Sequence, residues 1–151
     1  MAIYIVVDAS VAGAWLFNEK YTAKATKVLA AIEAHRVIAL APDRFTEEVL
    51  RICQKKTQPT PSSGVTVAPI DAWERFLEVV TSPIQFLPSV ELHEQAWHLA
   101  VATGLTTHDA LYLALAERWG ADLWTLDARL GELPPATYRS VRDLRGTLFP
   151  H

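Results

Sequence analysis

The sequence predicts an α/β fold built on a central, mostly parallel sheet. Short apolar, β-branched runs alternate with helical segments along the chain, the pattern of strand–crossover–strand units. The first run, Ile3 to Val7 (IYIVV), is apolar at every position, as a strand covered on both faces would be. Apolar residues make up 50% of the 151 positions, enough for one sizeable core in one domain.

After that first strand, Ser10 is placed to cap a short helix running through Trp15 to Phe17. Tyr21 to Ala34 puts Ala25, Val28, Leu29 and Ile32 on one helical face. Val37 to Leu40 reads as a second strand, closed by Pro42. Asp43 to Lys56 reads as a helix with Phe45, Val49 and Ile52 inward. Residues Thr57 to Ala68 (TQPTPSSGVTVA) carry turn formers throughout and are expected as a loop. A helix follows from Ile70 to Val80, stopped by Pro83, then a third strand from Ile84 to Leu87. Val90 to Thr103 is helical, with Gly104 placed to end it. Thr106 or Thr107 caps the next helix, His108 to Trp119, whose stretch Ala110 to Ala116 is apolar all round and needs burial by several neighbours. Gly120 ends it. Leu123 to Leu126 is a fourth strand, and Tyr138 to Val141 a fifth.

The balance of charge narrows the function. A net charge of −3 argues against a general nucleic-acid-coating protein, but does not exclude a cluster of acidic metal ligands, whose bound cations restore the charge locally. Cys53 is the lone cysteine, which excludes an intramolecular disulfide and a multi-thiolate zinc site. No apolar run approaches the roughly 20 residues that span a bilayer, and the N-terminus lacks signal-peptide features. The expectation is a soluble, cytoplasmic protein with no membrane partner.

Four acids fall at telling places. Asp8 directly follows the first strand and Asp127 the fourth, and open α/β sheets bind ligands beyond the carboxyl ends of strands. Helix capping is the alternative for each. Asp109 stands in the first turn of the most apolar helix, where the helix dipole alone accounts for an acid, although Thr106 and Thr107 already offer a cap. Helix geometry separates Glu47 from Glu48. With Phe45 at zero, Val49 and Ile52 fall near 40° and 340°, Glu48 near about 300° at the stripe edge, and Glu47 near about 200° facing away. Glu48 is therefore the half-buried one. Carboxylates gathered out of water repel each other, and a divalent cation removes that cost. Magnesium takes hard oxygen ligands together with water and substrate phosphate, and a pair of such ions can orient a water and stabilise the leaving oxygen.

Four segments carry a resemblance. VVDASVAGAWL (Val6 to Leu16), APDRFTEEV (Ala41 to Val49), GLTTHDALYLALAE (Gly104 to Glu117) and LWTLDARL (Leu123 to Leu130) resemble, in order, the PIN domain family, most of all its VapC-type toxins. The resemblance implies one PIN domain over residues 1–151, a three-layer α/β/α sandwich around a parallel sheet of four to five strands, and an acidic pocket. Its metal-binding acids carry over to Asp8, Glu48, Asp109 and Asp127, with Glu48 matched through Pro42 and Val49. Thr125 and Ser10 match small polar positions that support the site. The implied activity is a Mg2+-dependent endoribonuclease, with Mn2+ as substitute, in which a metal-activated water attacks the scissile phosphate. The implied setting is a type II toxin–antitoxin pair, with a homodimer and a cognate antitoxin protein as partners. Two positions depart from the family pattern. Arg51 and Ile52 stand where it often has Asn, and His108 where it often has Tyr, so Arg51 and His108 are candidate substrate contacts. A plain surface histidine is the alternative for His108.

Other signals are weaker. His93 and His98 are five apart, on different helix faces, and do not form a zinc-protease motif. Arg139, Arg142 and Arg145, with Arg51, Lys55 and Lys56, are candidates for a basic rim toward an RNA backbone, or plain solvated surface. The five Trp residues sit mostly in apolar patterns, read as core or interface. Two rivals remain. One is a catalytically silent PIN fold that binds RNA or protein. The other is a magnesium-dependent phosphatase, disfavoured because the run Asp8-Ala9-Ser10 is not DxD and no glycine-rich phosphate loop is present.

Overall fold

The computed structural model describes residues 2–62, 64 and 66–150. Its core is a five-stranded, all-parallel sheet in the order β3-β2-β1-β4-β5. The elements run β1 (Tyr4–Val7), α1 (Ala9–Leu16), α2 (Thr22–Glu33), β2 (Ile38–Pro42), α3 (Phe45–Lys56), α4 (Pro69–Val80) and β3 (Gln85–Leu87). A 3₁₀ turn (Ser89–Leu92) follows, then α5 (His93–Thr103), α6 (Thr107–Trp119), β4 (Asp122–Thr125), α7 (Ala128–Gly131) and β5 (Val141–Asp143).

The strand order fixes where a ligand can sit. From β1 the chain steps outward to β2 and then β3, and afterwards returns to the other side of β1 for β4 and β5. Right-handed crossovers put the connections of these two halves on opposite faces of the sheet. Accordingly α1 packs with α2 and α3, and α3 with α4, while α6 lies on β1, β2 and β4 with α5 against it. The reversal leaves a crevice between the carboxyl ends of β1 and β4, the place where such sheets bind ligands. The backbone N–H of Asp8 donates to the carbonyl of Trp124 at 3.1 Å, so the two strand ends that carry Asp8 and Asp127 are tied together.

The burial pattern explains the element types. In β1, Ile5, Val6 and Val7 are all buried, as its continuous apolar run requires. Every residue of α6 from Asp109 to Ala116 is buried, so this helix is the molecule's central one. Both α5 and α6 stop at glycines in the left-handed region, Gly104 at φ 77° and Gly120 at φ 59°. Among the described residues, no single helix is long and apolar enough to cross a membrane.

Several boundaries and roles differ from the sequence expectations. Ser10 does not cap the first helix: Asp8 holds the N-cap position, and Ser10 lies inside α1. In α3 the buried stripe is Phe45, Val49 and Cys53, with Ile52 only half-buried, because the stripe drifts with the 3.6-residue period. The expected helix from Val90 begins as the 3₁₀ turn and becomes α-helical only at His93. The fifth strand lies at Val141–Asp143, sharing only Val141 with the expected span, since register against β4 rather than local hydrophobicity places it. The four-residue α7 was not anticipated. Trp124 is buried in the core, whereas Trp73, Trp97 and Trp119 are exposed, which leaves interface as the reading for those three. The basic-rim reading fails for Arg142, Arg145 and Lys56, which pair with Asp122, Asp143 and Glu19.

Candidate active site

At the crevice, one pocket of about 360 Å³ is lined by Asp8, Ser10, Glu48, Asp109 and Asp127, with Arg51, Lys55, His108 and Arg129 among its other walls. All four candidate acids thus come together, two from just beyond the ends of β1 and β4 and two from α3 and α6. The supporting candidate Thr125 lies directly behind them and is fully buried. Arg51 and His108 are exposed at the rim. Glu47, the alternative to Glu48, is exposed and lines a different groove between α3 and α4, in agreement with the helical-face argument.

Asp8 is the least ordinary of the four. It is only 4% exposed, and although it occupies the N-cap position of α1 its side chain caps nothing. Instead its Oδ2 accepts hydrogen bonds from Ser10 Oγ and Thr125 Oγ1, each at 2.8 Å. Ser10 Oγ in turn accepts from the N–H of Leu126 at 3.1 Å, and Thr125 Oγ1 from the N–H of Asp127 at 2.9 Å. The two hydroxyls therefore couple the carboxylate after β1 to the backbone after β4. Burial drives the Asp8 carboxyl up to about 6, opposed by these two hydrogen bonds and assisted by Asp109 and Asp127.

Glu48 sits half-buried in the first turn of α3, and its Oε1 accepts from the Tyr112 hydroxyl at 3.0 Å. Desolvation and then the charge of Asp8 raise it to about 7, with the Tyr112 bond acting the other way. Asp109 is 8% exposed, and Thr106 already caps α6 by accepting from the Asp109 N–H at 3.2 Å. The carboxylate is thus spare from capping. Its Oδ2 is buried with no hydrogen-bond partner, although Arg129 Nη2 stands 3.3 Å away, an ion-pair distance without hydrogen-bonding geometry. Desolvation and neighbouring Asp127 raise its pKa, while Arg129 lowers it. Asp127 does cap: its Oδ1 accepts from the Arg129 N–H at 2.8 Å and its Oδ2 lies 3.4 Å from Arg129 Nη2. For Asp127 capping and a place at the pocket coexist.

This donor set suits a hard divalent cation. It offers carboxylate oxygens only, burial makes the charged forms of Asp8, Glu48 and Asp109 costly without a counter-charge, and one buried oxygen lacks a hydrogen bond. Among the described residues, no group of three or more His, Cys, Asp and Glu side chains stands close enough to grip one ion without adjustment. Lys55, a basic-rim candidate from the sequence, lines this pocket, whereas Tyr112 and Arg129 had not been singled out as members of the site. Arg129 alone had a local signal, its position two residues beyond Asp127 in the LDARL segment.

The sequence model of the PIN domain family matches residues 5–134, and the chain belongs to that family. It is 26% identical over 132 residues to ribonuclease VapC3 of Pyrobaculum aerophilum, covering 87% of this chain and 95% of that protein. Among solved structures it is similar to the sarcin-ricin-loop-cleaving toxin VapC20 of Mycobacterium tuberculosis (TM-score 0.63, 15% identity, 82% of this chain and 90% of that one). It is also similar to a chain of a toxin–antitoxin complex from Klebsiella pneumoniae (TM-score 0.62, 15% identity, 93% and 97%). A third similar chain is from the VapBC2 complex of Rickettsia felis bound to promoter DNA (TM-score 0.59, 11% identity, 87% and 94%). The fold is shared with all three of these solved structures.

Proposed function

We propose that this chain is a Mg2+-dependent endoribonuclease, with Mn2+ able to substitute, and the toxin of a toxin–antitoxin pair. The observation that carries the reading is Asp8: a buried carboxylate that caps no helix, raised to about 6, facing three further acids across one pocket. The naming of VapC3 as a ribonuclease and of the structural relatives as toxins supports the same reading. Asp8, Glu48, Asp109 and Asp127 would hold the ion, which supplies an activated water and neutralises charge on the scissile phosphate. Ser10 and Thr125 fix the Asp8 carboxylate by their two hydrogen bonds. Tyr112 holds Glu48. Arg51 and Lys55, with His108 beside them, form an exposed rim whose two cations draw the RNA backbone toward the acids.

One PIN domain spanning residues 1–151, acting in the cytoplasm, is part of this proposal. So is a homodimer, supported by the exposed apolar residues Val90, Trp97 and Val101. An antitoxin partner is supported by the apolar groove between α3 and α4, where Leu50 and Trp73 stand exposed. The test is cleavage of a structured RNA by purified protein with Mg2+. Cleavage should vanish in EDTA and in Asp8→Asn. Cleavage that survives both rejects the mechanism, and magnesium-independent RNA binding without cleavage favours the silent-fold alternative.

A further inference from the structure

Arg129 stands where the site's charge balance is decided. Its Nη2 lies 3.3 Å from Asp109 Oδ2 and 3.4 Å from Asp127 Oδ2, so one guanidinium bridges two of the four acids. The bridge is not a buried structural ion pair. The Arg129 side chain is 62% exposed, whereas those of Asp109 and Asp127 are 12% and 23% exposed. An exposed cation thus reaches in over two largely covered anions. It is held loosely at both ends, since neither distance is short and the Asp109 contact lacks hydrogen-bonding geometry. The Arg129 backbone is anchored separately, through its N–H to Asp127 Oδ1, so the side chain can leave without disturbing the turn. Arg51, Lys55 and His108 line the same pocket, and among the described residues the ion pair to these acids comes from Arg129 and not from any of those three.

We infer that Arg129 is a built-in, exchangeable counterion. It neutralises Asp109 and Asp127 before a divalent ion arrives, and it competes with that ion for their oxygens. The inference rests on the proposed metal site, but concerns a residue that the metal reading does not require. Two positive groups cannot share those two oxygens at short range, so binding of the ion displaces the guanidinium. The ion's apparent affinity is then reduced by whatever the displaced contacts were worth. Exposed ion pairs are individually weak, so the expected penalty is about threefold to tenfold in affinity. Linkage makes the effect reciprocal: the contacts that weaken metal binding must stabilise the metal-free protein by the same factor.

Calorimetric titration of Mn2+ into the full chain at pH 7.5 tests this, comparing wild type with Arg129→Ala and Lys55→Ala. Lys55 lines the same pocket without pairing to the acids, so it reports the general effect of removing one positive charge. Arg129→Ala should bind Mn2+ about threefold to tenfold more tightly, and Lys55→Ala less than about twofold more tightly. Thermal unfolding supplies the other half of the cycle: Arg129→Ala should melt below wild type in EDTA and level with it in saturating Mn2+. Equal gains in the two variants, or weaker binding by Arg129→Ala, overturn the inference while leaving the metal site intact. Absence of any Mn2+ binding by wild type overturns both.

Discussion

Replacing Asp8 by Asn is expected to stabilise the metal-free protein at pH 7.5 and to lose that advantage in acid. Burial raises the Asp8 carboxyl from 3.8 to about 6. Below pH 3.8 the group is protonated whether the chain is folded or not. As pH rises toward 6 the unfolded chain releases the proton and the folded chain keeps it, so native stability falls across that window. Above about 6 the loss is complete. At about 1.4 kcal/mol per pKa step, it amounts to about 3 kcal/mol. Asparagine removes the charge and keeps an oxygen to accept from Ser10 and Thr125, but adds an amide N–H₂ that lacks a partner, at about 1–3 kcal/mol. The net gain at pH 7.5 is about 0–2 kcal/mol, a rise in Tm of up to roughly 8 °C. Thermal melts of both proteins in EDTA from pH 4.5 to 8 measure it. The gap should narrow and then reverse toward pH 4.5. An asparagine variant that melts below wild type by the same margin at every pH would show that Asp8 carries no charge penalty, and the reasoning would fail.

Three further outcomes follow from the same contacts. Saturating Mg2+ should raise the wild-type Tm more at pH 7.5 than at pH 5, because protons compete for Asp8 and Glu48, raised to about 6 and about 7, and an equal rise at both pH values would contradict the site. Thr125→Val should cost about 1–3 kcal/mol in urea melts, since it strips a fully buried hydroxyl from between Asp8 and the Asp127 N–H, and should lower RNA cleavage beyond what the stability loss explains. Leu113→Ala, in the fully buried middle of α6, should cost about 2–5 kcal/mol in the same assay without changing the pH dependence.

Much of the fold was legible because its signals are local. The uninterrupted run at Ile3 to Val7 announced a strand covered on both faces, and the all-apolar stretch at Ala110 to Ala116 announced the central helix. Glu48 was separable from Glu47 because half-burial follows from angle around a helix. What sequence did not reveal depends on contacts across the chain. β5 is placed by pairing with β4, not by its own hydrophobicity, so it fell outside most of the expected span. Ser10 looked like a cap because Ser caps helices well, yet the hydroxyl is taken by Asp8 and by the N–H of Leu126, a residue 116 positions away. The pairing of Arg142 with Asp122 and of Arg145 with Asp143 turned an apparent basic stripe into neutralised surface. Arg129 lies two residues beyond Asp127, but its bridge between two acids exists only because the fold brings Asp109 and Asp127 together.

The most direct trial is to soak crystals of the protein in Mn2+ at pH 7.5 and map the anomalous scattering. The account expects a peak among the carboxylates of Asp8, Glu48, Asp109 and Asp127, with the Arg129 guanidinium moved off Asp109. A pocket without a peak at saturating Mn2+, or a peak ligated by other residues, would contradict it.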